Sequence, residues 1–136
     1  MLVLDASALV DLLLVRPLAG EIERHVAVHA ADMHAPGLLD IEVVSALRRV
    51  VSSGEASVSR AAEAIEDLLE LPIERHAHGP LMPRVWQLRE VLTAYGATYL
   101  ALAETLGERP GALLTTDAGF ARAIAASSDV EPLLVR

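Results

Sequence analysis

The sequence predicts an α/β fold: a central parallel sheet covered by helices on both faces, giving a three-layer α/β/α sandwich. Three observations carry this. Short apolar runs of strand length alternate with longer segments of helical period. The first run is continuously apolar, as in strands buried on both faces. The 136 residues, 53% of them hydrophobic, suffice for one core in a single domain spanning residues 1–136. No linker, repeat or low-complexity segment interrupts them.

The first strand, Leu2-Val3-Leu4, delivers Asp5 to its C-terminal edge, where a helix starts and runs to Val15; Pro17 breaks the pattern. Residues 18–31 set Glu21, Glu23, Arg24 and His25 among apolar residues as a second helix. Met33-His34-Ala35 is a short strand closed by Pro36-Gly37. Residues 38–53 carry the clearest amphipathic pattern. Val43, Val44, Ala46, Leu47, Val50 and Val51 share one arc; Glu42, Ser45, Arg48 and Arg49 share the other. Glu42 and Arg49 fall within roughly 20° on the wheel, about two turns apart. Residues 57–71 form another amphipathic helix, ended by Pro72, and Ile73-Glu74-Arg75 is a short strand. A helix over 80–92 accepts Pro83 in its first turn. The helix over 95–106 puts Tyr95, Tyr99, Leu102 and Leu106 on one face, and Gly107 and Pro110-Gly111 stop it. Residues 112–115 are a strand leading to Thr116-Asp117; 118–126 are helical; 130–135 form the last strand.

Composition removes several chemistries. Cysteine is absent, which excludes disulfides, thiolate catalysis and Cys-ligated zinc. All eleven basic residues are arginine, which removes a P-loop lysine, Schiff-base catalysis and a lysine general base. No apolar run approaches the roughly 20 residues of a membrane span. Met1 leads straight into a strand, so no secretory signal is expected and a cytoplasmic location is. The net charge of −8 opposes a broad electrostatic grip on nucleic acid. It serves solubility, and it also suits an acid cluster that holds divalent cations.

Asp5 and Asp117 are the sharpest pair. Each follows a short apolar strand, has a hydroxyl neighbour (Ser7, Thr116) and precedes a helix. In a parallel sheet both lie on one edge. Either alone reads as a helix N-cap; in matched settings they point to a shared site. Glu42, in the first turns of its helix, faces a site or water. Asp40 reads as a partner of that helix's N-terminus. Three convergent carboxylates make an all-oxygen site suited to Mg²⁺ or Mn²⁺.

Asp5-Ala6-Ser7, the segment 39–49 with Glu42, the segment 92–95 ending in Tyr95, and Leu114-Thr115-Thr116-Asp117-Ala118 together resemble a PIN domain, and more narrowly the VapC toxins of toxin–antitoxin pairs. The resemblance runs from residue 1 to about residue 135. It implies a metal-dependent endoribonuclease whose carboxylates, here Asp5, Glu42 and Asp117, bind Mg²⁺ or Mn²⁺ while water attacks an RNA phosphodiester. Ser7 and Thr116 would then support the acids or touch substrate. It further implies a homodimer and a VapB-like antitoxin that covers the site and brings the complex to operator DNA. One position departs from the pattern. After Tyr95 the family usually carries an aspartate that helps hold the metal; this chain has Gly96, which offers no ligand. The resemblance therefore predicts weakened metal binding and slow cleavage. The alternative is an inactive PIN-fold module that keeps dimerisation and antitoxin binding. Thr98 and Glu104 are conceivable substitutes, although Glu104 lies about two turns on.

Other residues carry smaller expectations. Arg48 and Arg49 can reach RNA phosphate or simply face solvent, with Arg84 and Arg89 weaker candidates. His25 and His29, or His76 and His78, have spacings a metal can use but lack a third partner in the sequence. Trp86, Tyr95 and Tyr99 read as core rather than base-stacking residues. The apolar excess on the helices around residue 54 suits a partner surface or an ordinary core. A phosphoacceptor domain of receiver type also places acids at strand ends, but that chemistry pairs them with a lysine this chain lacks.

Overall fold

The computed structural model describes residues 1–106 and 111–136. Strands β1 (Leu2–Leu4), β2 (Met33–Pro36), β3 (Ile73–His76), β4 (Ala112–Thr115) and β5 (Glu131–Leu134) form one sheet in the order β3-β2-β1-β4-β5. All four pairings are parallel. Among the described residues the helices are α1 (Ala6–Leu13), α2 (Ala19–Val28), α3 (Leu38–Ser52), α4 (Val58–Glu70), α5 (Met82–Gln87), α6 (Ala94–Thr105) and α7 (Ala118–Ser127). The expected stop at Gly107 and Pro110 lies outside the described residues.

Helices α1 to α4 pack on one another as one layer. On the other face α6 lies against β1, β2 and β4 with α5 beside it, and α7 covers β4 and β5. This is the expected three-layer α/β/α sandwich. Leu2, Val3, Leu4, Leu113 and Leu114 are wholly buried at its centre. At roughly 1.5–3 kcal/mol per buried aliphatic side chain, these two short strands are held by burial more than by their few ladder bonds. The strand order reverses between β1 and β4. Ligands of open α/β sheets sit at such a switch point, outside the carboxyl ends of the strands.

Three local expectations are corrected. The helix expected over 80–92 is a 3-10 turn at Gly79–Leu81 followed by the six-residue α5. Pro83 has no N–H and its ring would strike the carbonyl of residue 79, so one continuous helix cannot form there. Second, the buried stripe of α3 is Leu39, Val43, Leu47 and Val50, narrower than expected, and Val44 is 44% exposed. Third, α6 has no single apolar face. Its residues 97–103 are all buried, with alanines at 97, 101 and 103 allowing close approach, while Tyr95 stands outside. Buried Thr98 donates to the Ala94 carbonyl at 2.7 Å, which satisfies its hydroxyl.

Helices α1 and α3 end alike. Val15 N–H donates to Leu12 C=O and Arg16 N–H to Asp11 C=O; Gly54 and Glu55 repeat this on Val51 and Val50. Each closes on a residue of positive φ, Val15 at 54° and Gly54 at 79°. The residues that follow, Arg16 and Glu55, meet: Arg16 Nη2 lies 2.8 Å from Glu55 Oε2 and Nη1 lies 2.9 Å from Asp11 Oδ1.

Candidate metal centre

Asp5 ends β1 and holds the N-cap position of α1, yet its side chain makes no capping bond. Instead Oδ2 accepts from Thr115 Oγ1 at 2.7 Å and from Ser7 Oγ at 2.8 Å. Each hydroxyl has one proton, and both go to Asp5. Their oxygens then accept backbone amides: Ser7 Oγ from Thr116 N–H (3.1 Å), Thr115 Oγ1 from Asp117 N–H (3.0 Å). The ends of β1 and β4 are thus tied through one hydroxyl pair, buried at Thr115 and half-buried at Ser7. The sequence points to Thr116 as the hydroxyl beside Asp117; the network uses the Thr115 side chain and only the Thr116 backbone. Leu4 pairs with Leu114 in the ladder, so Asp5 faces Thr115. Aligning the two strand ends is the signal that would have found it.

Asp117 caps α7, its Oδ1 accepting from Phe120 N–H at 2.9 Å. Glu42 projects from the early turns of α3, where Oε1 accepts from Tyr99 Oη at 2.8 Å. Tyr99 comes from α6 in the opposite layer and is buried; its role toward Glu42 is invisible in local pattern. Asp5, Glu42 and Asp117 line a common recess of about 390 Å³ with Gly96, Tyr95 and Phe120. Gly96 N–H donates to Thr93 Oγ1 at 3.2 Å. A Cβ at position 96 would stand 3.1 Å from Phe120 Cε2, so the ring must give by a few tenths of an ångström to admit a side chain there.

Burial pushes the Asp5 carboxyl above its usual range, opposed by the Thr115, Ser7 and Ala6 donors and reinforced by Asp117. Burial likewise raises Glu42, opposed by Tyr99 and reinforced by Asp5. Burial and the charge of Glu42 push the Tyr99 phenol far up, so it stays protonated and donates.

A neighbouring recess of about 380 Å³ continues from the acids past Ser7 and Thr116 to Arg16 and Arg49. Arg49 donates to Ser45 and stands at this rim; Arg48 is exposed and lines neither recess. Arg16 was not marked by any sequence pattern. Asp40 pairs with Arg75 at 2.9 Å rather than with its helix end. Thr98 turns to backbone, and Glu104 is held by Arg84 (2.8 Å) and Ser128 (2.8 Å), so neither replaces a ligand at 96. Trp86 is exposed with Arg89 over its ring at 4.6 Å, and Tyr95 is exposed at the recess; of the three aromatics only Tyr99 is core.

The donor set fits a hard cation. All three groups are carboxylates, each anchored through one oxygen, which leaves the second uncommitted by side chains. Burial, reinforced by the neighbouring acid, raises the proton affinity of Asp5 and Glu42, and a bound cation would favour their charged forms.

No family model matches the chain. It is 42% identical over 125 residues to Ribonuclease VapC3 of Mycobacterium tuberculosis, covering 89% of this chain and 85% of that protein. It is 34% identical over 131 residues to Ribonuclease VapC12 of the same species, covering 96% and 98%, and 41% identical over 122 residues to Ribonuclease VapC1, covering 89% of each. The crystal structure of PAE2754 from Pyrobaculum aerophilum is similar at a TM-score of 0.71 and 21% identity, covering 96% of this chain and 81% of that one. That likeness speaks for the fold.

Proposed function

The chain belongs to the VapC family of PIN-domain ribonucleases, and from that membership we propose that it is a metal-dependent endoribonuclease, the toxin of a type II toxin–antitoxin pair, impaired by Gly96. The observation that carries the metal reading is the convergence of Asp5, Glu42 and Asp117 on one recess at the switch point. These three residues would hold Mg²⁺ or Mn²⁺. When bound, the ion supplies charge neutralisation at the scissile phosphate and a water of lowered pKa. Thr115 and Ser7 fix Asp5, and Tyr99 fixes Glu42, so the acids need little reorganisation to receive charge. Arg49 at the rim is the cation suited to meet an RNA phosphate, and Ser7 and Thr116 flank its approach. The reading also includes a VapB-like antitoxin, which the VapC relatives support, a homodimer, and operator DNA reached through the antitoxin. Exposed Ile41, Val44, Val58 and Leu69 on α3 and α4 offer apolar surface for such partners. Among the described residues no helix is long and apolar enough to cross a membrane.

One observation favours the second reading, an inactive module that keeps its partners. The Phe120 ring crowds Gly96, so that a Cβ there would stand 3.1 Å from Phe120 Cε2 and a side chain would need the ring to shift. Titrating Mg²⁺ and Mn²⁺ into the chain and its Gly96→Asp variant, with a labelled RNA panel, separates the readings. Slow metal-dependent cleavage that rises in Gly96→Asp supports the impaired enzyme. Metal binding without cleavage in either form supports the inactive module. Absence of metal binding in both removes the metal reading.

A further inference from the structure

Away from the recess, a second set of ligand atoms converges at the β2–β3 edge. His34 stands on β2; Glu74, its register partner, and His76 stand on the edge strand β3. His34 Nδ1 lies 2.9 Å from His76 Nε2 and 3.5 Å from Glu74 Oε2. One ligand atom from each of the three lies within 4.8 Å of the others. Strand alternation explains the convergence. Arg75 reaches Asp40 of α3 on one face of the sheet, so residues 74 and 76 turn to the other, where residue 34 joins them.

A second observation points to a metal. Behind His34, Nε2 lies 2.6 Å from Asp32 Oδ1. An ionised carboxylate only accepts, so the proton belongs on Nε2 and the Nδ1 lone pair faces His76 and Glu74. Metal-ligating histidines are oriented this way, by a carboxylate on the far nitrogen. His78 cannot serve through Nε2, which accepts from Leu38 N–H at 2.9 Å. The sequence spacing of His76 and His78 thus misleads; the partner of His76 is His34, 42 residues away.

We propose that His34, Glu74 and His76 form a divalent-metal site of the zinc class that staples edge strand β3 to β2. Two imidazoles and one carboxylate suit Zn²⁺, with a fourth position open to water. Nitrogens bound to one tetrahedral zinc sit about 3.3 Å apart, so the two nitrogens must separate by about 0.4 Å, turn toward a shared point and give up the proton between them. The two imidazoles favour zinc over Mg²⁺ here, while the carboxylate recess can take zinc as well, so Asp5→Asn is needed to separate the two sites. The competing arrangement is a plain N–H···N bond between the two rings.

The test is calorimetric titration of the tag-free, metal-stripped chain with zinc chloride, followed by Co²⁺ absorption to read the ligand geometry. The expected result is a zinc site kept in Asp5→Asn, its affinity falling about ten-fold or more when His76→Ala or His34→Ala is added to that background. Glu74 is 67% exposed, so Glu74→Gln leaves folding aside; it should weaken zinc binding and lose the rise in Tm that zinc gives the wild type. No saturable zinc binding overturns the proposal. So does binding that Asp5→Asn abolishes while His76→Ala and Glu74→Gln preserve it.

Discussion

Thr115 Oγ1 donates to Asp5 Oδ2 across 2.7 Å, joining the ends of β1 and β4 where the strand order of the sheet reverses. Thr115→Val keeps the volume but deletes both this donor and the acceptor used by Asp117 N–H. Mg²⁺ or Mn²⁺ affinity should fall about ten-fold or more, because an unsupported carboxylate no longer aims at the ion. Stability should fall by about 1–3 kcal/mol, the cost of an orphaned buried partner. Thr116→Val, which spares the backbone bond to Ser7, should do much less. Calorimetry and urea unfolding read both; Thr115→Val behaving as the wild type would remove Thr115 from the site.

The contact between Gly96 and Phe120 shapes what restoring a ligand achieves. The Cβ of Gly96→Asp meets the Phe120 ring at 3.1 Å, so the ring must yield by a few tenths of an ångström. Gly96→Asp alone should gain part of the metal affinity. Gly96→Asp with Phe120→Leu should gain more than the two single changes add up to, by about 0.5–3 kcal/mol of coupling. Strict additivity in Mn²⁺ titrations would mean that the ring does not hinder the position.

Much of this site is legible locally. The apolar strands ending in Asp5 and Asp117 show themselves because burial and capping are short-range patterns. The rest depends on register and layer. Thr115 and Thr116 are adjacent and differ only in which face each takes, which the pairing of Leu4 with Leu114 decides. Tyr99 meets Glu42 across 57 residues because α6 and α3 converge from opposite layers. Arg48 and Arg49 differ by about 100° on the helix, enough to put one at the recess rim and the other in water. His34 and His76 become partners only once β2 and β3 are neighbours.

The buried acids make stability depend on pH in a direction that can be worked out. Burial raises Asp5 and Glu42 above 3.8 and 4.5, so the folded chain holds these protons more tightly than the unfolded one. Stability therefore falls as pH rises from the unfolded values through the folded ones, and the deficit is complete above them. In metal-free protein at neutral pH, Asp5→Asn should be more stable than the wild type by about 0.5–2 kcal/mol. The advantage should shrink as pH drops toward 3.8. If the acids hold metal as proposed, saturating Mn²⁺ should reverse the order, since only the wild type keeps the Asp5 carboxylate. Glu104 runs the other way. Burial raises it, but Arg84 and Ser128 outweigh burial and hold it low, so its contribution is lost as pH falls through its folded value. Equal metal-free stability of Asp5→Asn and wild type across about pH 4 to 8 would mean the buried charge costs nothing.

The C-terminus of α1 stores strain that a single change releases. Val15 sits at φ 54° where its counterpart at the end of α3, Gly54, sits at 79°. A β-branched residue in that region costs about 1–2 kcal/mol, and glycine avoids the cost. Glycine also gives the unfolded chain more freedom, which offsets about 0.5–1 kcal/mol of the gain. Val15 is 76% exposed, so little packing is lost. Val15→Gly should therefore raise stability by about 0.5–1 kcal/mol, seen as a higher urea midpoint at unchanged slope. Gly54→Ala should lower it by at least as much, because alanine inherits the strain that Val15 already bears. The Arg16–Glu55 pair that follows both turns is worth roughly 0.2–1 kcal/mol, so the comparison is repeated in Glu55→Gln, where the same gain is expected. A Val15→Gly chain no more stable than the wild type would mean that the turn relaxes to negative φ in solution.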